Sequence, residues 1–319
     1  MVIAKSIFLL LLGFVLLVKF SDIFVDAISS IASYFNMSKM MIALTIGAFG
    51  TCAPELAISF NSISGGTGDI ALANVVGSCI INIILVIGIA CCVSPIRVKS
   101  ESIKKELPIL LVVTSMFVVS VVFHCLEHTK LLTINRFDGL LYFFFFCMFM
   151  FYIISVVKSR KGLFEKHDSK YKLPIALLLT VVCSIVIVLA SDLVVDNAVI
   201  LASLLNVSTK VITMTIVVIG TSLPEMTMTV LSAKKGEFDI ALGNIIGTNI
   251  FNIGVVLGIP LLIYGGFTSS SFSIIDMIFV QLSATLLYLF ARNDKVLSRR
   301  EGAIFIIIFV IYYSYLFIS

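Results

Sequence analysis

Charge is what this chain is short of. Asp, Glu, Lys and Arg make up 13% of its 319 residues, against 60% hydrophobic, and mean hydropathy is +1.17. A soluble domain is about a quarter charged, so most of this chain must lie in lipid. Histidine occurs three times and no H-E-x-x-H motif is present, which leaves an intramembrane metalloprotease without its zinc ligands. The seven cysteines (Cys52, Cys79, Cys91, Cys92, Cys125, Cys147 and Cys183) form no C-x-x-C pair and mostly fall inside apolar runs. They read as small hydrophobes, not as a disulfide framework. The net charge of +4 does not point to nucleic acid, because the Lys and Arg residues sit in short loops.

Apolar runs are what the chain has in quantity. A membrane-spanning helix needs about 20 such residues. Runs of that kind cover 2–24, 41–64, 69–93, 107–125, 139–158, 173–195, 211–233, 239–264, 273–291 and 301–318. Residues 1–20 have the look of a signal peptide, with Lys5 ahead of an apolar core. No small-residue cleavage site follows closely, and the same pattern recurs at 173–190, so the segment reads as the first membrane helix.

Shifted by 170 positions, the sequence falls onto itself without a gap. "SDIFVDAISSIASYFNMS" (21–38) matches "SDLVVDNAVILASLLNVS" (191–208), and about 40% of positions 21–89 are identical to their partners. Glu55 pairs with Glu225, Asp69 with Asp239, Asn74 with Asn244 and Asn82 with Asn252. Five apolar runs per copy is an odd number, so the second copy enters the membrane from the opposite side, as in many secondary transporters. The expected fold is all-α: ten transmembrane helices as two inverted five-helix repeats, 1–157 and 173–319, joined by a basic linker at 158–172. With the N-terminus outside, the inner loops are those near Lys39, 97–106, 158–172, Lys234–Lys235 and 291–300. They hold about 17 of the Lys and Arg residues against about 4 outside. That bias places both termini outside a cell membrane.

Two stretches break the apolar pattern: "GTCAPELAIS" (50–59) and "GTSLPEMTMT" (220–229). A carboxylate at the bilayer centre costs about 2.5–3.5 kcal/mol and survives where it meets a cation or water. Pro54 and Pro224 have no N–H, so the carbonyls of Gly50 and Gly220 lose their helical partners; irregular backbone at that depth is tolerated where it lines a cavity. Thr51 and Glu55 lie four apart and share a helix face, as do Ser78 and Asn82, Thr221 and Glu225, and Thr248 and Asn252. The donor set is all oxygen. It suits Ca²⁺, which takes about 6–8 oxygens at about 2.3–2.6 Å; Na⁺ would accept the same atoms, whereas zinc or copper would want imidazole or thiolate. A proline kink with Ser, Thr and Asn as helix glue is the plain structural reading. Two copies in register, each with an ionisable residue, argue against it.

On these residues the sequence resembles the sodium/calcium exchangers of the calcium/cation antiporter superfamily. That family has two inverted repeats with a G-T-S-x-P-E core and a following G-S/T-x-x-x-N/D segment; the small prokaryotic members are most similar. The resemblance implies ten helices, with helices 2, 3, 7 and 8 around the ions and helices 1 and 6 long, tilted and mobile. It implies Ca²⁺ held by Glu55 and Glu225 with the carbonyls of Thr51 and Thr221. It implies Na⁺ on those glutamates with Ser78, Thr248, Ser222, Asn82 and the backbone near Ala48 and Val218, and no cofactor or obligate protein partner beyond the two ions and the bilayer. Cys52 stands where the motif has serine, and lines the site. Asn252 stands where several members have aspartate. Proton-coupled relatives read G-N-A-x-E, which this chain lacks.

Other features read as structural. Asp22, Asp26, Asp192 and Asp196 repeat at 170 and are assigned to helix ends or vestibules; Lys19 is expected to pair with Asp22 or to snorkel. Asp69 and Asp239 are expected to cap helices. "HCLEH" places His124 and His128 four apart near the outer face, and the Phe-rich run 140–152 is expected to face lipid. The functional expectation is a secondary antiporter, not an enzyme, exchanging Ca²⁺ for Na⁺ at about three to one. The alternative is Ca²⁺/H⁺ exchange on the same two glutamates. A channel would want a continuous pore, which helices broken at mid-membrane do not suggest.

Overall fold

The computed structural model describes residues 2–127, 132–159, 169–204, 218–269 and 273–318. The helices are α1 (Val2–Tyr34), α2 (Lys39–Thr51), α3 (Ala53–Ser64), α4 (Gly68–Val93), α5 (Glu106–Glu127), α6 (Arg136–Ser159), α7 (Leu173–Leu204), α8 (Leu223–Lys234), α9 (Phe238–Tyr264), α10 (Ile274–Asp294) and α11 (Arg299–Ile318). Among the described residues, seven helices are long and apolar enough to cross a membrane, or eight if α2 and α3 count as one bent span. The expected run 211–233 is described only from Val218, and α11 opens on a charged turn, Arg299-Arg300-Glu301.

The apolar runs understate α1 and α7, which continue through Asp22, Asp26, Asp192 and Asp196 to Tyr34 and Leu204. At 1.5 Å per residue α1 is about 50 Å long, well beyond the ~30 Å hydrocarbon core, so it must tilt or protrude. The two long helices pack along each other. The centre of the molecule is α4 and α9, 83% and 89% buried over their apolar stretches. Each has a π-helical turn at the same point of the repeat, Asn82–Ile87 and Asn252–Leu257; such turns often mark functional sites. α6 is exposed on one side only: Leu140, Phe144, Met148 and Phe151 are exposed, but Tyr142 and Phe149 are buried against the core.

Two small antiparallel sheets tie loops of one half to loops of the other. β1 (Ile96–Arg97) pairs with β4 (Val296–Leu297), and β2 (Leu132–Ile134) with β3 (Phe267–Ser269). One end of the bundle collects the basic loops. Lys39 bonds Glu237 at 2.6 Å, Lys99 bonds Asp239 at 2.6 Å, and Lys235 reaches Asp22 at 2.8 Å and Asp26 at 2.6 Å. Lys170 bonds Asp26 at 2.6 Å, and the β1–β4 pairing brings Lys295 beside Val98. The described residues of all five loops grouped by the charge count thus meet at one end.

Two expectations are corrected here, and His124 is placed. Asp22 pairs with Lys235 and not with Lys19, because α1 continues as helix and presents Asp22 to the α8–α9 turn. Asp69 and Asp239 do not cap: the cap positions are Thr67 and Glu237, neither with a side-chain cap bond, and the aspartates sit inside the first turn. There they still complement the positive helix end, and Asp239 also holds Lys99. His124 bonds Asp138 at 3.0 Å, and Asp138 also accepts the Asn135 N–H at 2.8 Å; His128 lies outside the described residues.

Candidate cation-binding site

The two motif stretches are breaks in helices. Between α2 and α3 the chain turns by 51° at Cys52, where ψ is 4° instead of a helical value. A short turn, Val218–Thr221, meets α8 at Ser222, where ψ is 6°. Pro54 and Pro224 follow in the first turn of the new helix, where a missing N–H costs nothing. Glu55 and Glu225 come next, also in that first turn, where the helix dipole favours a negative charge.

Both glutamates are fully buried, and none of their four carboxylate oxygens has a hydrogen-bond partner within bonding geometry. A buried carboxylate without a partner is costly, so the arrangement is complete only when something positive joins it. Five further fully buried oxygens also lack a partner, Ser78 Oγ, Asn82 Oδ1, Ser222 Oγ, Thr248 Oγ1 and Asn252 Oδ1, as do Ser59 Oγ, Ser232 Oγ and Asn244 Oδ1. The two carboxylates are near enough to interact with each other, and Cys52 with both. The Thr51 hydroxyl lies beside Glu225, so the first motif helps build the second's surroundings. α3 packs on the π turn that starts at Asn252, and α8 on the one that starts at Asn82. Among the described residues no cluster of three or more His, Cys, Asp or Glu forms. The charge there is thus that of two carboxylates.

Several placements differ from the sequence-based expectation. The Gly220 carbonyl, which Pro224 deprives of its N–H, is not free: Ser191 Oγ donates to it at 2.8 Å. The Ala48 carbonyl accepts the Cys52 N–H at 3.1 Å, and the Thr51 hydroxyl shares its one hydrogen between this carbonyl at 3.3 Å and that of Gly47 at 3.5 Å. Cys52 is 3% exposed and its Sγ points at the Thr248 carbonyl, 4.0 Å away. Thr221 is buried, and of Val218 only the backbone is described. Asn74 and Asn244 brace the glutamate helices: Asn74 donates to the Glu55 carbonyl at 3.4 Å and Asn244 to the Thr229 hydroxyl at 3.2 Å. Gly247 lets α9 close on α2; a Cβ there would stand 2.7 Å from the Leu44 carbonyl oxygen. Sequence reasoning missed Ser191, whose only signal was its repetition at Ser21, and Asn249, whose only signal was that its repeat partner is Cys79.

A multi-pass helical membrane protein with broken helices meeting at buried, unpaired carboxylates has the build of a cation transporter. The sodium/calcium exchanger protein model matches residues 5–155 and 175–318. The putative antiporter CaxA of Alkalimonas amylolytica is 36% identical over 320 residues, covering 97% of this chain and 98% of that protein. The sodium/calcium exchanger MaX1 of Methanosarcina acetivorans is 30% identical over 350 residues, covering 99% of each. A solved structure of the sodium-calcium exchanger NCX_Mj, soaked with 10 mM Na⁺ and zero Ca²⁺, superposes with a TM-score of 0.82 at 29% identity, covering 98% of this chain and 99% of that one. The chain belongs to the sodium/calcium exchanger family, a family of membrane antiporters and not of enzymes.

Proposed function

We propose that the protein is a secondary antiporter that moves Ca²⁺ against Na⁺ across the cell membrane by alternating access. The observation that carries the proposal is the pair of fully buried glutamates whose four oxygens lack partners. In this reading Ca²⁺ is held by Glu55 and Glu225 with carbonyl oxygens of Thr51 and Thr221. Na⁺ uses the same carboxylates with Ser78, Asn82, Ser222, Thr248 and Asn252; Cys52 lines the site. Ala48 and Val218 contribute backbone only in a state where the Ala48 carbonyl gives up its present donors. The two carboxylates match the charge of one Ca²⁺, which supplies the countercharge that burial denies them.

The same reading takes the chain as ten spans in two inverted repeats, 1–157 and 173–319, with 158–172 between them and both termini outside. Recurrence of the π turns at an interval of 170 and the exchange of loops in the two small sheets support it. So does the collection of the basic loops at one end. α1 and α7, packed on each other and tied to the core through polar contacts such as Ser21–Thr227 at 2.8 Å, are the elements proposed to slide. The coupling ratio proposed is three Na⁺ per Ca²⁺. Calcium uptake into proteoliposomes, with Na⁺ and H⁺ gradients imposed separately, tests the assignment. Uptake driven by an opposing Na⁺ gradient is the expected result; uptake driven by the proton gradient alone would assign the glutamates to Ca²⁺/H⁺ exchange.

A further inference from the structure

Asn249 stands apart from the repeat. The residue 170 positions earlier is Cys79, and the two touch. Asn249 Nδ2 donates to the Cys79 carbonyl at 3.3 Å, and Cys79 Sγ lies 4.0 Å from the Asn249 carbonyl oxygen. On its other side Asn249 Oδ1 accepts from Asn82 Nδ2 at 3.2 Å. All three residues are buried.

This chain of contacts has a direction. A backbone carbonyl can only accept, so it commits the NH₂ of Asn249 to Cys79. The Asn249 oxygen is then the atom left facing Asn82, and only the NH₂ of Asn82 can meet it. The oxygen of Asn82 is thereby turned the other way, where it is buried and has no partner. Cys79, one helical turn before Asn82, lies within electrostatic reach of Glu55, and α8, which bears Glu225, packs on the turn that Asn82 begins. The free oxygen thus points away from Asn249, in a turn against which the helix bearing Glu225 packs.

Asn252, the repeat counterpart of Asn82, has no such anchor. The position that would orient it is Cys79, which has no amide, and neither Nδ2 nor Oδ1 of Asn252 has a partner. We infer that Asn249 is a positioning residue: it locks the amide of Asn82 with its oxygen toward the transported cation, so that the site has one fixed amide ligand and, at Asn252, one that can turn. An unanchored amide can present its NH₂, which repels a cation. The inference rests on the site assignment proposed above, in which Asn82 serves Na⁺ and not Ca²⁺.

The test is a double-mutant cycle on the purified full-length protein, read by binding of radioactive Ca²⁺ and its displacement by Na⁺. Asn249→Cys, which copies the other half, should raise the Na⁺ concentration for half-displacement about tenfold, the worth of about one buried hydrogen bond. Ca²⁺ affinity measured without Na⁺ should stay within about twofold. In an Asn82→Ala background the same change should add little. Asn249→Ser keeps a polar side chain too short to bridge both partners and serves equally if Asn249→Cys does not fold. Equal losses for Na⁺ and Ca²⁺, or an Asn249 effect that persists undiminished without the Asn82 amide, would overturn the inference and leave Asn249 as helix packing. Glu55→Gln separates the two levels: if it binds Ca²⁺ as the native protein does, the site assignment itself falls. If it does not bind but the cycle is additive, only the role of Asn249 falls.

Discussion

Neutralising one glutamate should move stability in opposite directions with and without calcium. In the cation-free protein Glu55 and Glu225 bury two carboxylates with no hydrogen-bond partner. A carboxylate in the bilayer interior costs about 2.5–3.5 kcal/mol, while the amide of Gln, poorly met in the same place, costs about 1–3 kcal/mol. Glu55→Gln and Glu225→Gln should therefore each stabilise the cation-free protein by roughly 1 kcal/mol at the mid-points of the two ranges, a gain of a few degrees in Tm. Calcium reverses the order. A ligand at 100 times its Kd adds about 2.7 kcal/mol to a fold that binds it, and only the native protein should gain. The assay is thermal unfolding of the purified protein in detergent, once with chelator and once with saturating Ca²⁺. The native and variant curves should cross between the two conditions. A variant that is less stable than native in chelator would show that the carboxylates have partners the geometry does not supply. A calcium-induced shift that survives in both variants would place the cation elsewhere.

Other outcomes follow from single contacts. Ser191→Ala strips the donor from the buried Gly220 carbonyl and should lower stability by about 1–3 kcal/mol, with Ser191→Thr recovering most of it; an unfolding midpoint unmoved by Ser191→Ala refutes the contact. Gly247→Ala should destabilise by about 1–3 kcal/mol through the clash with the Leu44 carbonyl, seen as a lower Tm, and no change would mean that α2 and α9 are less tightly docked. Thiol-reactive cations should inhibit calcium flux through Cys52 in the states that open the site, and Cys52→Ser should transport while resisting them; inhibition that persists would place the reactive thiol elsewhere. Three-for-one exchange moves one net charge per Ca²⁺, worth about 2.3 kcal/mol per 100 mV. Calcium flux at a set Na⁺ gradient should then reverse at a point that shifts with a potassium-clamped potential, and a reversal point indifferent to voltage would favour two-for-one.

Much of this protein is legible in its sequence, because lipid imposes simple rules. A backbone without water must satisfy itself as helix, so apolar runs mark the helices, and lysines and arginines resist crossing, so loop charge sorts the loops into two groups. The structure collects one of those groups at a single end through Lys39, Lys99, Lys170, Lys235 and Lys295. The candidate site is legible for a related reason: a carboxylate in lipid is too costly to be incidental, and proline cannot hide inside a helix. The tertiary structure alone decided which polar atoms are already spent. Local spacing places Thr51 and Glu55 on one face, but cannot say that Ser191, from another helix, takes the Gly220 carbonyl, or that Lys235 reaches back to Asp22. Nor can the repeat itself distinguish Asn82 from Asn252, which match perfectly in sequence. Their difference arises where the two halves meet, at Cys79 and Asn249, because a hydrogen bond is set by distance and direction between atoms, here 170 residues apart in the chain.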